Sequence, residues 1–305
     1  MIVLLSAPTN LGLEPPRRGS VPGASKAPEA LREAGLFRRL AELGARDGGV
    51  VLPGRYVDDD ADRPAHRVRN EQAMVEHARR LADRIADVLR AGGSPLVVGG
   101  DCSVLLGAGV AMARRGGAGL VHVDGHTDFR NPGNSDRCAS VAGEDLAAAV
   151  GRHRPSIADI DGSGPYFHAA RAAHVGCRDD DAEVVEVRSL VGCVVSASEW
   201  RFQGTQAVAD AVLRVADVSG YWLQVDVDVL DPEVMPAVDS PDPGGCTADE
   251  LVELLRALAP RAVGASVTVF DPDLDPDGRY ARLVADVVVD GLAGLGSALR
   301  HRASG

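Results

Sequence analysis

Short apolar runs alternate with longer amphipathic ones along the chain. Ile2–Leu5 reads as a strand. Pro28–Leu40 reads as a helix, with Pro28 in its first turn and Leu31, Leu36 and Leu40 at helical spacing. Residues from about Ala65 to Arg90 predict a long helix with Val75, Leu81, Ile85 and Leu89 on one face. Leu96–Val98 predicts a buried strand running into Gly99-Gly100, with a helix from Ser103 and a strand at Leu120–Val123 behind it. A loop spans Asp124 to Ser140, and a helix follows at Asp145–Val150. Ala173–Val175, Val191–Ser196, Tyr221–Val225 and Val263–Val269 predict further strands, and Thr247–Leu258 and Arg282–Arg300 further helices. Strands alternating with helices imply βαβ units, hence an α/β fold with a mainly parallel sheet covered on both faces. There is no internal repeat and no low-complexity linker. The polar stretch Arg152–Gly164 reads as an inserted loop, so residues 1–305 are expected to form a single domain.

The strand ends change the picture. Ligands in an open α/β sheet sit beyond the carboxyl ends of the strands. Leu96–Val98 runs into Gly99-Gly-Asp-Cys-Ser103. Leu120–Val123 runs into Asp124-Gly-His-Thr-Asp128. Tyr221–Val225 runs into Asp226-Val-Asp-Val-Leu-Asp-Pro232. Carboxylates and an imidazole gathered at one edge repel or stay desolvated unless cations join them. In an extended segment residues two apart share a side, so Asp124, His126 and Asp128 can face one cavity, as can Asp226 and Asp228. Mostly oxygen donors with an imidazole suit Mn²⁺ or a similar ion, and two ions sharing carboxylates form a common hydrolytic device. The bland readings are a solvated loop for Asp124–Asp128, a small buried hydrophobe for Cys102 and a calcium loop for Asp226–Pro232. The last lacks the glycine such a loop needs. Asp273–Gly278 matches the opening of an EF-hand loop, but its twelfth position is Val284 in place of glutamate. The joint occurrence of three segments, each after a predicted strand, favours the metal reading.

Composition narrows the partners. A net charge of −12 argues against nucleic acid or an anionic membrane surface. Five cysteines at irregular spacing, with no CxxC, point to a reducing compartment. The apolar start lacks a basic flank and no run is long enough to span a bilayer, so a cytoplasmic location is expected.

On these residues the chain resembles the ureohydrolase family, which comprises arginases, agmatinases, formimidoylglutamases and relatives. The three strand-end segments resemble the family's metal motifs. Ser240-Pro-Asp-Pro-Gly-Gly245, Ala27-Pro-Glu-Ala-Leu-Arg32 and Val175-Gly-Cys-Arg-Asp-Asp-Asp181 extend the likeness over nearly the whole chain. The resemblance implies a three-layer α/β/α fold with a central parallel sheet, a small-molecule substrate and assembly as a homotrimer or hexamer. It implies two divalent ions, with manganese expected. One would be held by Cys102, Asp124, Asp128 and Asp226, the other by Asp124, His126, Asp226 and Asp228. Asp128 would also aim the nucleophile, and with His126 it forms the catalytic pair. Asp181 matches a substrate contact.

The chain departs from that pattern at four positions. Cys102 replaces a histidine ligand, which shifts preference toward zinc or iron. Ala142 stands where a proton-shuttling histidine is expected. Val269 stands where a glutamate would pair with a guanidinium. Arg130 replaces a neutral contact, and either grips a carboxylate of the substrate or points to solvent. Retention of the carboxylates implies an active dinuclear hydrolase of non-peptide C–N bonds with an altered substrate, such as a guanidino, hydroxyguanidino, formimidoyl or amide compound. The alternatives are a one-metal deacetylase-type hydrolase, which would need the adjacent His-His absent here, and a metal-binding pseudoenzyme or regulatory subunit.

Overall fold

The computed structural model describes residues 1–299. Its centre is one sheet of eight strands: β1 (Ile2–Ala7), β2 (Arg46–Val50), β3 (Ser94–Gly99), β4 (Gly119–Val123), β5 (Ala172–Val175), β6 (Cys193–Val195), β7 (Tyr221–Asp226) and β8 (Ala262–Thr268). They lie in the order β2-β1-β3-β8-β7-β4-β5-β6, and every pairing is parallel. The fold class is therefore as expected, an α/β three-layer arrangement. Along the chain the helices are α1 (Ala27–Glu33), α2 (Leu36–Glu42), α3 (Glu71–Arg90), α4 (Val104–Arg114), α5 (Asp145–Ala149), α6 (Pro155–Ala158), α7 (Val184–Leu190), α8 (Ala197–Gln203), α9 (Thr205–Ala216), α10 (Ala248–Leu258) and α11 (Arg279–Leu292).

Side-chain alternation on the strands feeds two cores. Ile2 and Leu4 of β1 join Leu31, Leu36, Val212, Leu251 and Val284 from α1, α2, α9, α10 and α11. Val3 and Leu5 point the other way, to Leu81, Ile85, Leu105 and Leu146 from α3, α4 and α5. Burying each such leucine stabilises the fold by about 2 kcal/mol. On α3 the buried residues Met74, Ala78, Leu81, Ile85 and Val88 recur at three- and four-residue steps and make one stripe. Thr247 and Glu250 close a capping box that sets the start of α10.

Several boundaries differ from the sequence expectation. The helix expected over Pro28–Leu40 is two helices, broken at Gly35, whose φ of 88° is left-handed. The long helix starts at Glu71 instead of near Ala65, because Asn70 is itself left-handed. The helix from Arg279 ends at Leu292, a turn follows at 293–296 and helical residues resume at 297–299, while the expected end at Arg300 lies outside the described residues. Strand β2 had no signal, since Arg46-Asp-Gly-Gly-Val50 is polar and sits exposed at the sheet edge. The stretch 152–164 is anchored: Ile157 and Ile160 are buried, and Asp161 accepts from Arg79 and Arg114.

Topology sets the site. Strands β3, β8, β7 and β4 are neighbours at the sheet centre. The Cys102, Asp226 and Asp124 segments leave from β3, β7 and β4, so all three open on one short stretch of edge, with Val269 leaving β8 between them.

Candidate metal centre

The acidic residues converge through turns in which side chains bind the backbone. Asp124 Oδ1 accepts from His126 N at 2.7 Å, and Asp226 Oδ1 accepts from Asp228 N at 2.8 Å. Asp228 follows β7 in a turn of 3₁₀ helix, and Asp128 is left-handed with φ of 46°. The extended alternation expected for these segments is thus replaced by Asx-type turns, which tighten each motif further. Gly125 lets the two segments meet: a Cβ there would lie 2.7 Å from the Asp228 carbonyl oxygen. Gly100 does the same for the first motif, where a Cβ would lie 1.7 Å from the Thr9 carbonyl.

All six expected ligands come together. Cys102 Sγ, Asp124 and Asp226 form one group of donor atoms within 4.8 Å of one another, and Asp124, His126 and Asp228 form a second. Asp128 groups with Cys102 and Asp145, and again with His122 and Asp124. His126, Asp128, Asp226 and Asp228 line a cavity of 160 Å³ together with Arg130, Ala142, Asp181 and Val269. Both expected substrate contacts therefore face it. Asp181 also accepts from Thr127 Oγ1 at 2.6 Å, Thr127 N at 2.9 Å and Glu183 N at 3.0 Å, so it ties the Asp124–Asp128 turn to the next loop.

The electrostatics are strained without cations. Burial, reinforced by neighbouring carboxylates, pushes Asp124, Asp128 and Asp226 well above the usual carboxylate range. Asp228 goes the other way: burial opposes its charge, but His126 and the Gly125 N–H outweigh it and lower its pKa. His126 Nδ1 lies 2.9 Å from Asp228 Oδ2 and its Nε2 3.0 Å from Asp242 Oδ2. Burial resists its protonation, yet the Asp228 hydrogen bond and the surrounding acids raise its pKa to about 10. Cys102 donates to Asp226 Oδ2 at 2.8 Å and lies 3.0 Å from Thr268 Oγ1, and burial pushes its thiol far up. Asp124 Oδ2 is buried with no hydrogen-bond partner. Such an oxygen costs about 1–3 kcal/mol and is a natural position for a cation. The hard oxygens, one imidazole and one thiol fit a pair of divalent ions.

A description of the Arginase family matches residues 1–293. The chain belongs to the arginase family. It is 32% identical to the arginase of Brevibacillus brevis over 92% of this chain and 93% of that one. It is 30% identical to the arginase of Agrobacterium fabrum, over 93% of this chain and 88% of that one. The solved arginase of Bacillus caldovelox superposes with a TM-score of 0.83 at 25% identity, covering 95% and 97% of the two chains. Proclavaminate amidino hydrolase of Streptomyces clavuligerus shares the fold, with a TM-score of 0.74 at 24% identity over 97% and 92%.

Within this arginase-family chain several site residues escaped the sequence reading. His122 lies inside an apolar strand and Asp145 opens a helix, so each had a sufficient local explanation. In the sequence Asp242 stands only within the Ser240–Gly245 segment that extends the family likeness. Arg178 is buried and donates to the carbonyls of Asp242 and Asp228 at 2.6 and 3.0 Å, which clamps the third motif beneath the second. The EF-hand-like segment is otherwise engaged: Asp273 pairs with Lys26, and Asp275 accepts from Ala281 N at 2.8 Å at the start of α11. Val269 has φ of 75° and donates its N–H to the Gly100 carbonyl at 2.6 Å. That conformation is costly for a β-branched residue, and such strain clusters at functional sites.

Proposed function

We propose that this protein is a dinuclear, divalent-metal hydrolase of linear non-peptide C–N bonds that acts on a small guanidino, hydroxyguanidino or related compound. The convergence of six donor side chains in overlapping groups, four of them lining one cavity and the Asp124 Oδ2 oxygen left bare, carries this reading. One ion would be held by Cys102, Asp124, Asp128 and Asp226, the other by Asp124, His126, Asp226 and Asp228. Manganese suits the oxygen donors, while Cys102 admits zinc or iron. When bound, such a pair supplies Lewis acidity toward the electrophilic carbon and acidifies water near neutral pH.

The chain's own residues do the rest. Asp128 orients the nucleophile, and His126, placed between Asp228 and Asp242, would offer a deprotonated ring nitrogen to the second ion. Arg130 and Asp181 sit on the cavity wall to grip the polar end of the substrate. Ala142 and Val269 supply neither a proton shuttle nor a guanidinium partner. They also border a second cavity of 620 Å³ lined by Pro15, Pro16, Val21 and Leu274. A substrate with a good leaving group, and with bulk beyond the scissile bond, fits that arrangement. General acid assistance is worth about 10²–10⁴-fold, so arginine itself is expected to be a poor substrate. The protein is further proposed to work as one domain in a cytoplasmic homo-oligomer, a trimer or hexamer, with neither nucleic acid nor membrane as partner. Among the described residues no helix is long and apolar enough to cross a membrane.

The test is metal analysis of the purified chain coupled to a screen of guanidino, hydroxyguanidino, formimidoyl and amide substrates. Two ions per chain and metal-dependent turnover are expected. Two bound ions with no turnover anywhere on the panel would instead favour the pseudoenzyme, a reading that rests on Ala142 and Val269.

A further inference from the structure

Three buried polar residues lie against the proposed ligands without a role. Asp145, at the first position of α5, is fully buried, as are His122 on β4 and His174 on β5. His122 Nε2 lies 3.2 Å from Asp145 Oδ1 and 3.6 Å from Asp124 Oδ2, and its Nδ1 lies 3.0 Å from His174 Nδ1. Asp145 Oδ2 has no hydrogen-bond partner, and neither does Asp124 Oδ2. Cys102 Sγ, an Asp128 oxygen and an Asp145 oxygen all lie within 4.8 Å of one another.

Two donors at roughly 2.0–2.3 Å from one ion stand about 3–4 Å apart, so this group needs only small side-chain rotations to share a cation. The cysteine at 102 leaves the ion on its side one dependable donor short, because its thiol donates to Asp226 Oδ2. A bare carboxylate oxygen in a dry interior is the complement of that shortage.

We infer that Asp145 is an additional ligand of the ion on the Cys102 side, and that His122 is the positioning residue that holds it. This rests on the dinuclear reading above. His122 Nε2 faces Asp145 Oδ1, which leaves Oδ2 free for the ion, and His174 Nδ1 meets His122 Nδ1 on the other side of the ring. A hydrogen-bonded ligand of this kind is the usual support for a metal-binding carboxylate. The added oxygen also makes the Cys102 site harder. It returns preference from Zn²⁺ toward Mn²⁺.

The experiment is competitive titration of the full-length chain with Mn²⁺ and Zn²⁺ against a chelator, together with bound-metal stoichiometry, for wild type, Asp145→Asn, Asp145→Glu and Asp226→Asn. Asp145→Asn should weaken Mn²⁺ at one of two sites by about 10–100-fold while Zn²⁺ changes less than about threefold, and Asp145→Glu should keep most of the Mn²⁺ preference. Unchanged Mn²⁺ binding in folded Asp145→Asn overturns the assignment. So does an equal loss for both metals with a lowered melting temperature, which would mark a structural role. Failure of the dinuclear reading itself looks different: wild type would hold fewer than two ions, and Asp226→Asn would bind as wild type does.

Discussion

Glu144 and Asp145 are adjacent, equally buried, and treated in opposite ways. Glu144 belongs to a Cys138–Glu144–His153 group, and Asp145 to a Cys102–Asp128–Asp145 group; each could geometrically hold a metal. Glu144 is saturated. Its Oε1 accepts from Ala139 N at 2.7 Å and Ser140 N at 3.1 Å, and its Oε2 lies 2.9 Å from His153 Nε2. Arg154 N donates to His153 Nδ1, so the imidazole proton is on Nε2 and points at Glu144. Asp145 has His122 at Oδ1, with the Leu146 N–H and the Asp128 carboxyl beside it, and its Oδ2 is buried without a geometric hydrogen bond. Donor atoms at metal-ligand spacing are therefore not enough. The first group is closed by protein hydrogen bonds and serves to pin the loop that carries Ala142. The second is left open, and an open buried carboxylate calls for a cation.

That contrast can be broken most forcefully from the closed side. His153→Ala strands a buried carboxylate oxygen and should cost about 3–5 kcal/mol, seen as a lower denaturation midpoint with metal content unchanged. A loss below about 1 kcal/mol would mean that Glu144 is not truly closed. On the open side, Asp226→Asn should reduce turnover of the best substrate at least about a hundredfold, with one or both ions lost but thermal stability of the apo form kept or raised, because a crowded charge is removed. Strong destabilisation of that apo variant would contradict the electrostatic account.

A control lies far from either cluster. His77 is on the buried face of α3 and contacts the Val51 carbonyl at 3.0 Å; burial lowers its pKa to about 4, with the carbonyl only partly offsetting this. Its folded pKa lies below the unfolded value near 6.5, so the unfolded chain takes up the extra proton. The neutral side chain's contribution is then fully present above about pH 6.5 and fades as pH falls toward 4. Wild type should lose about 2 kcal/mol between pH 7 and 5 from this group alone. His77→Gln should flatten the profile by that amount, and an unaltered profile would reject the assignment. The smallest effect is expected at Cys138. Burial raises its thiol to about 11, and among the described residues the thiol's hydrogen bond is a 3.5 Å approach to the Ser135 carbonyl. Cys138→Ser should leave metal stoichiometry untouched and stability within about 1 kcal/mol. Loss of an ion from this variant would make the closed cluster a metal site after all.

Much of this was legible from residues alone. The alternation of apolar runs and amphipathic stretches determined an α/β fold, because a strand buried on both faces must be continuously apolar and its crossover helix must be amphipathic. The acid-rich strand ends made Asp124, His126, Asp128, Asp226 and Asp228 candidates for metal, and the family resemblance added Cys102. Sequence was blind where the local signal was ambiguous: polar β2 at an edge, the break at Gly35, and His122 and Asp145 inside ordinary elements. Only the tertiary structure decided that β8 would slot between β3 and β7, which draws distant motifs onto one edge. It also decided which buried carboxylates would be hydrogen-bonded and which left bare. Partners such as Glu144–His153 and Asp145–His122 are chosen by packing in three dimensions, and whether a buried charge is satisfied depends on every atom around it, not on its neighbours in the chain.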